Sequence, residues 1–369
     1  MPVRFHGLRL LADDLTGALD SAVAFVRAFG PLEVGLEPGN MASLVLDSAT
    51  RELPAAEAVA KVKALAPVLA ASDGRLSFFK VDSLLRGHAG DELAAILAAN
   101  TYTRVILAPA LPGQGRRTEN GRQVAQGQPI GEDLAASLSR HGHGVALRPP
   151  GPPAEQGITL FDAATDADLD RLVAHALPLA GSTLWVGTSG LAGALGRALG
   201  GPSVKPSPRP SLPLLGFVGT DHPVMQAQLR QVRTLPIAPR PVTAETLRAL
   251  QFALEQGSIV VTCDLPRGIG RAEAHRQIAH AFAECVAQMP APGTLFVSGG
   301  ETLRALLAPL GARALRVEAE HLPGMPLSHL VGGRWNGLPI LTKSGAFGTP
   351  DLLETLIGGL APAGKAVAS

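Results

Sequence analysis

Leu10–Phe25, LLADDLTGALDSAVAF, is the stretch whose reading decides the fold. An apolar run ends in two adjacent carboxylates, Asp13 and Asp14. Thr16 and Gly17 then open a segment whose apolar residues recur at helical spacing. A strand that stops at acids and hands over to a helix is the opening of a parallel α/β layer, where ligands gather at the carboxyl ends of strands. One carboxylate of this pair is placed to orient or deprotonate a substrate hydroxyl. The plainer reading, that Asp14 or Thr16 caps the helix, accounts for one acid but not for two.

The same grammar returns at Phe78–Leu93, FFKVDSLLRGHAGDEL, which gathers Lys80, Asp82, Ser83 and Arg86 at a strand end. An arginine fork and a lysine point charge suit a carboxylate or phosphate, and Asp and Ser suit hydroxyls, so the group matches a polyhydroxy acid. The plainer reading is a solvated loop with one ion pair. Asp47 and Arg51 flank another strand end and either join this cluster or form a surface pair. Ala108–Gln123, APALPGQGRRTENGRQ, is dense in Gly, Pro and Arg and reads as irregular structure, with Arg116, Arg117, Thr118 and Asn120 available to close over a substrate.

Farther along, Phe296–Leu307, FVSGGETLRALL, sets Ser298, Gly299 and Gly300 before a helix starting near Glu301 and Thr302. Backbone amides at such a turn approach phosphates closely, and the helix start favours their charge. Leu341–Asp351, LTKSGAFGTPD, adds Lys343, Gly345 and Gly348. Gly216–Leu229, GFVGTDHPVMQAQL, adds Gly219 and Thr220 at a third strand end. Three glycine turns outline a nucleotide site better than any one.

Composition bounds the rest. The 369 residues exceed what one core usually serves. Five prolines in Gly200–Pro213 mark an extended connector, giving domains at 1–205 and 206–369. The expected architecture is α/β, two largely parallel sheets flanked by helices, with the active site in the interdomain cleft. Lys and Arg total 32 against 31 Asp and Glu, a net charge of +1, so no global field draws nucleic acid or an anionic membrane. No apolar run approaches the length of a membrane span. With two cysteines, Cys263 and Cys285, read as buried thiols, a soluble cytoplasmic protein compatible with a homodimer is expected.

Several motifs are excluded. Gly359–Lys365 fits GxxxxGK, but Ala366 holds the Ser/Thr position. No GxGxxG follows a strand, which disfavours a nicotinamide-dependent dehydrogenase. Leu191 replaces the last glycine of a nucleophile elbow. The ten histidines show no metal-ligand spacing, so no protein metal site is assigned.

Taken in order, ADDLTGA, KVDSLLRG, the PAxPGxGR loop, SGGET and KSGAFG resemble the motif set of the four-carbon acid sugar kinase family, from Leu11 to Asp351. The resemblance implies a sugar-acid-binding N-terminal domain, a nucleotide-binding C-terminal domain, and ATP with Mg²⁺ as co-substrates. It places Asp13, Asp14, Arg51, Lys80, Asp82, Ser83 and Arg86 on the substrate, Asp13 and Asp14 being the catalytic pair. Gly219, Thr220, Gly299, Gly300, Glu301, Thr302, Lys343 and Gly345 fall on the nucleotide. Leu84, His88 and Met225 depart from the family pattern. KVDSLLRG is closer to the D-threonate and D-erythronate kinase form than to the Cys- and Thr-bearing form of 3-oxo-tetronate kinases. Those kinases, and a non-catalytic sugar-acid-binding protein, are the alternatives. Lys80 and Arg86 are expected to hold the substrate carboxylate.

Overall fold

The computed structural model describes residues 5–36, 43–71, 74–202, 209–239, 241–266 and 268–362. The chain divides into two compact units, Met1–Val204 and Lys205–Ser369. Part of the proline-rich connector, 203–208, and the end of the GxxxxGK match, 363–369, lie outside the described residues.

The first unit runs β1 (Gly7–Ala12), α1 (Leu15–Phe29), β2 (Leu32–Gly35), β3 (Leu44–Asp47), α2 (Ala55–Leu65), β4 (Arg75–Lys80), α3 (Ala89–Ala99) and β5 (Arg104–Ala108). A small hairpin layer follows: β6 (Arg116–Glu119), β7 (Arg122–Ala125) and β8 (Gln128–Pro129). Then come α4 (Leu134–Arg140), β9 (Val145–Arg148), β10 (Gly157–Phe161), α5 (Asp166–Ala176), β11 (Thr183–Gly187) and α6 (Ser189–Leu199). Its main sheet has the order β2-β3-β1-β4-β11-β5-β10-β9, and every pairing is parallel. Helices cover both faces, so central strands such as β1 are buried along their whole length. Phe79, Leu11 and Leu107 pack against α2, α3 and α4 on one face. On the other, Phe78 meets Phe25 of α1 edge-on, with ring centroids 6.0 Å apart.

The second unit contains β12 (Ser211–Leu212), β13 (Leu214–Val218), α7 (Pro223–Leu229), β14 (Thr234–Ile237), α8 (Ala244–Glu255), β15 (Ile259–Cys263), α9 (Arg271–Gln288) and β16 (Thr294–Ser298). It continues through α10 (Gly300–Leu310), β17 (Ala314–Leu322), β18 (Met325–Val331), β19 (Pro339–Lys343), α11 (Leu352–Gly359) and β20 (Ala361–Pro362). Its sheet order is β14-β15-β13-β16-β19-β18-β17, parallel up to β19 and antiparallel beyond. Phe217 stacks on Phe282 of α9 at 5.1 Å on one face. Met225, Leu353 and Leu356 close the other.

Two expectations are corrected. The Ala108–Gln123 stretch is not irregular, since β6 and β7 pair across Asn120 and Gly121. Those two residues carry φ of +50° and +75°, the backbone of a tight hairpin turn that Asn-Gly favours. Helix α2 stops at Leu65 and passes into a 3₁₀ turn at Ala66–Leu69, because Pro67 cannot continue an α-helical hydrogen-bond ladder. Cys285 is buried as expected, but Cys263 is only partly so; neither is in a disulfide.

Candidate active site

In each unit, chain topology brings the candidate residues to one sheet edge. The strand order of the first sheet reverses between β1 and β4, because β1 leads outward to β2 and β3 while β4 returns on its other side. Register puts Ala12 level with both Asp47 and Lys80 at that edge. Asp13 and Asp14 thus leave β1, and Val81 and Asp82 leave β4, at the crevice that such a reversal opens.

Arg51, which follows β3, ties these tips together. Its Nε donates to Asp13 Oδ2 at 2.8 Å and its Nη2 to Asp13 Oδ1 at 2.8 Å and Asp14 Oδ1 at 2.6 Å. Asp82 Oδ1 lies 3.6 Å from the same Nη2. The surface-pair reading of Arg51 is therefore excluded; the guanidinium is nearly buried and serves three carboxylates. Arg86 forks onto Asp82, Nε to Oδ2 at 2.8 Å and Nη2 to Oδ1 at 2.9 Å. Lys80 Nζ donates to Val81 O at 2.6 Å and adds its charge to the field on all three aspartates.

The two adjacent aspartates are not equivalent. Asp14 caps α1: Oδ1 accepts from the Gly17 amide at 2.9 Å, and Oδ2 accepts from the Thr16 hydroxyl at 2.6 Å. Burial raises its pKa, but Arg51, Lys80 and these local donors outweigh burial and hold it below the usual carboxylate range. Among the described residues Asp13 receives side-chain bonds from Arg51 alone, and burial, only partly offset by Arg51 and Lys80, lifts it above that range. Asp82 is held well below: burial pushes it up, but its bonds from Arg86 and the charges of Arg51, Arg86 and Lys80 prevail. Neighbouring acids driven apart in this way mark the one suited to take a proton.

The loops that carry these groups are conformationally committed. Ala49 and Leu85, on either side of the cluster, have φ of +49° and +51°, a left-handed conformation that costs a non-glycine residue roughly 1 kcal/mol. Gly87, at φ +80°, lets the chain pass so close to Arg51 that an added Cβ would lie 3.3 Å from its carbonyl oxygen. Ser83 is buried beside the cluster and accepts a hydrogen bond from Arg116 at the start of β6.

In the second unit the strand order reverses between β13 and β16, and Val218, Ser298 and Lys343 stand level at the carboxyl edge. A Cβ on Gly219 would fall 2.2 Å from Thr302 Oγ1, and one on Gly345 2.8 Å from Thr220 Oγ1, so the three glycine turns adjoin one another. Gly299, at φ +107°, starts α10 with no side-chain cap, and the amides of Gly300, Glu301 and Thr302 have no acceptor within the helix. Lys343 is fully buried, yet its Nζ has no hydrogen-bond partner among the described residues, nor has the neighbouring Ser298 Oγ. Burial pushes that amine down to about 7. A buried amine without a counter-charge among the described residues, beside amides without acceptors, is chemically suited to an anion.

One residue escaped the sequence reading. Glu92 of α3 is buried against the cluster, with one carboxylate oxygen on Thr50 and Oε1 unpartnered. The available signal was an acid on the apolar stripe Ala89, Leu93 and Ile96. Burial pushes it up to about 7, with help from Asp13 and Glu132. Between pH 4.5 and 7 the unfolded chain releases this proton while the folded protein keeps it, so stability falls as pH rises through that window. Glu92→Gln should match the wild type at pH 4.5 and exceed it at pH 8 by at most about 3 kcal/mol in urea unfolding. A gap that does not change with pH would contradict this placement.

Residues 8–145 match the model of a sugar-binding N-terminal domain, and residues 217–353 that of a nucleotide-binding C-terminal domain. A D-threonate kinase of Cupriavidus necator is 31% identical over 93% of this chain and 95% of its own length. A 3-oxo-tetronate kinase of the same organism is 28% identical over 94% and 95%. Haemophilus influenzae protein HI1011, a solved structure, superposes with a TM-score of 0.66 at 18% identity over 96% of this chain and 99% of its own; at that identity the likeness shows the fold alone. These matches span both units, and the chain belongs to the four-carbon acid sugar kinase family of ATP-dependent phosphotransferases.

Proposed function

We propose that the protein moves the γ-phosphoryl group of ATP onto the terminal hydroxyl of a four-carbon sugar acid of the D-threonate type. The observation that carries this reading is the difference in partners inside the cluster: Gly17, Thr16 and Arg51 all donate to Asp14, whereas among the described residues Arg51 alone donates to the side chain of Asp13. Phosphoryl transfer needs alignment and charge neutralisation more than covalent chemistry. Asp14 is spent on the helix start, Thr16 and Arg51 and serves as a positioning residue. Asp13 keeps unused lone pairs and takes the hydroxyl proton as the new oxygen–phosphorus bond forms and ADP departs. Asp82, Ser83 and Arg86 border the substrate's hydroxyls.

The second unit supplies the nucleotide site. Lys343 and the amides of Gly299–Thr302 receive phosphate oxygens, and the backbone at Gly219, Thr220 and Gly345 lies close against the nucleotide. Among the described residues no three His, Cys, Asp or Glu side chains gather to hold a metal ion. Mg²⁺ would be carried on phosphate oxygens, with Glu301, in the first turn of α10, as a carboxylate that could hold it. Mg²⁺ so bound neutralises phosphate charge.

D-threonate is preferred because the relative of that name is more similar than the 3-oxo-tetronate kinase and because of the form of the KVDSLLRG motif. On a panel of D-threonate, D-erythronate and 3-oxo-tetronate, ADP release should depend on the acid and be fastest per unit KM with D-threonate. ADP release indifferent to the acid would contradict the reading. Asp13→Asn should lower kcat by about 10² or more, whereas Asp14→Asn should act chiefly on stability.

Lys343 gives a second test. Anion binding requires its protonated form, so the Kd for ATP should rise roughly tenfold per pH unit above 7. Lys343→Met should abolish that slope in calorimetric titration, weaken ATP binding, and raise the Tm of the nucleotide-free protein by removing an unpaired buried amine. An unchanged pH slope in the variant would remove Lys343 from the site.

A further inference from the structure

At the first-unit crevice two arginine forks are taken by carboxylates and, among the described residues, a third arginine is not. Asp13, Asp14 and Asp82 are answered by Arg51, Lys80 and Arg86, and both arginine forks are engaged by carboxylates. Arg116 stands beside them. It lies within electrostatic reach of both Asp82 and Arg86, yet its hydrogen bond goes to the neutral hydroxyl of Ser83, and among the described residues no carboxylate pairs with it.

Arg116 is held there by a built support. Leu111 and Arg116 bridge across the turn through Gly115, with Leu111 N to Arg116 O at 2.8 Å and Arg116 N to Leu111 O at 3.2 Å. Gln123, buried in β7, donates from Nε2 to Ser83 O at 3.0 Å and to Pro109 O at 2.9 Å, and accepts from Thr118 Oγ1 at 2.9 Å. The hairpin is thereby stapled to the loop that carries Asp82 and Ser83. On its other edge, Thr118 and Ala163 exchange backbone hydrogen bonds.

We propose that Arg116 receives the carboxylate of the sugar acid and is the residue that makes the enzyme choose an acid over a neutral four-carbon polyol. The assignment rests on the kinase reading above and moves the carboxylate away from Lys80 and Arg86. A carboxylate is the partner that Arg116 lacks among the described residues. The guanidinium is half-buried, so its attraction is only partly screened, and its planar fork matches a carboxylate in two-point contact. The substrate's hydroxyls then extend toward Ser83 and Asp13, with the terminal one farthest from the carboxylate.

The test compares wild type, Arg116→Gln and Arg116→Lys, each checked by circular dichroism, in calorimetric titrations with D-threonate and with the neutral D-threitol. Wild type is expected to bind the acid at least 10²-fold more tightly than the polyol. Arg116→Gln should bring the two within a few-fold by weakening acid binding, with KM raised and kcat at saturation little changed; Arg116→Lys should recover part of the preference. A wild type that binds both equally, or an Arg116→Gln protein that keeps the full preference, overturns the assignment. A preference lost in Arg86→Gln instead places the carboxylate on Arg86 and overturns it too. Because the titrations need no nucleotide, they decide on Arg116 even when ADP release fails and the kinase reading with it.

Discussion

Everything at the first-unit crevice follows from the cost of burying Asp13, Asp14 and Asp82 at the tips of parallel strands. A carboxylate taken out of water is costly to keep charged unless cations and hydrogen-bond donors replace its hydration. Arg51 supplies most of that replacement from the end of β3, reaching two aspartates through hydrogen bonds and the third at 3.6 Å. The amides of Thr50 and Arg51 donate to Asp13 O, so the turn that presents Arg51 is itself fixed to the strand it neutralises. Sheet order, left-handed loop residues and the close passage at Gly87 all hold these groups together before substrate arrives. A preorganised polar site of this kind stabilises developing charge without reorganising during reaction.

The second unit follows the opposite electrostatic logic. Lys343 is buried with no counter-charge among the described residues, and α10 begins without a side-chain cap. Both features cost stability in the absence of a ligand and are relieved by an anion. Among the described residues the first unit thus keeps one guanidinium, Arg116, without a carboxylate partner, and the second keeps a buried amine, Lys343, without any. The difference matches the ligands proposed for them, a monoanionic polyhydroxy acid and a polyphosphate.

Much of this was legible in the chain because its signals are local. Tandem aspartates after an apolar strand, glycine turns before helices, and the KVDSLLRG cluster each declare a strand end within a dozen residues. What was not legible depends on partners distant in sequence. The cap at Asp14 was one of the readings the local sequence offered, but nothing near Asp13 reveals that it faces Arg51, because Arg51 approaches from 37 or more positions away. Glu92 looks like a solvated acid until α3 is turned against the cluster. The density of Gly, Pro and Arg after β5 hid a hairpin whose Asn120-Gly121 turn was the overlooked signal, and with the hairpin the support for Arg116. Cys263 read as core because strand position alone does not distinguish a strand's interior from its exposed end.

The account's central claim is that adjacent buried aspartates have been driven apart, Asp14 held charged and Asp13 raised toward proton exchange. Carbon-13 NMR titration of the aspartate carboxyls, assigned by Asp13→Asn and Asp14→Asn, measures this directly. The predicted result is Asp14 titrating below the ordinary carboxylate range and Asp13 above it. Two carboxyls titrating together near the ordinary value, or the reverse order, would contradict the account.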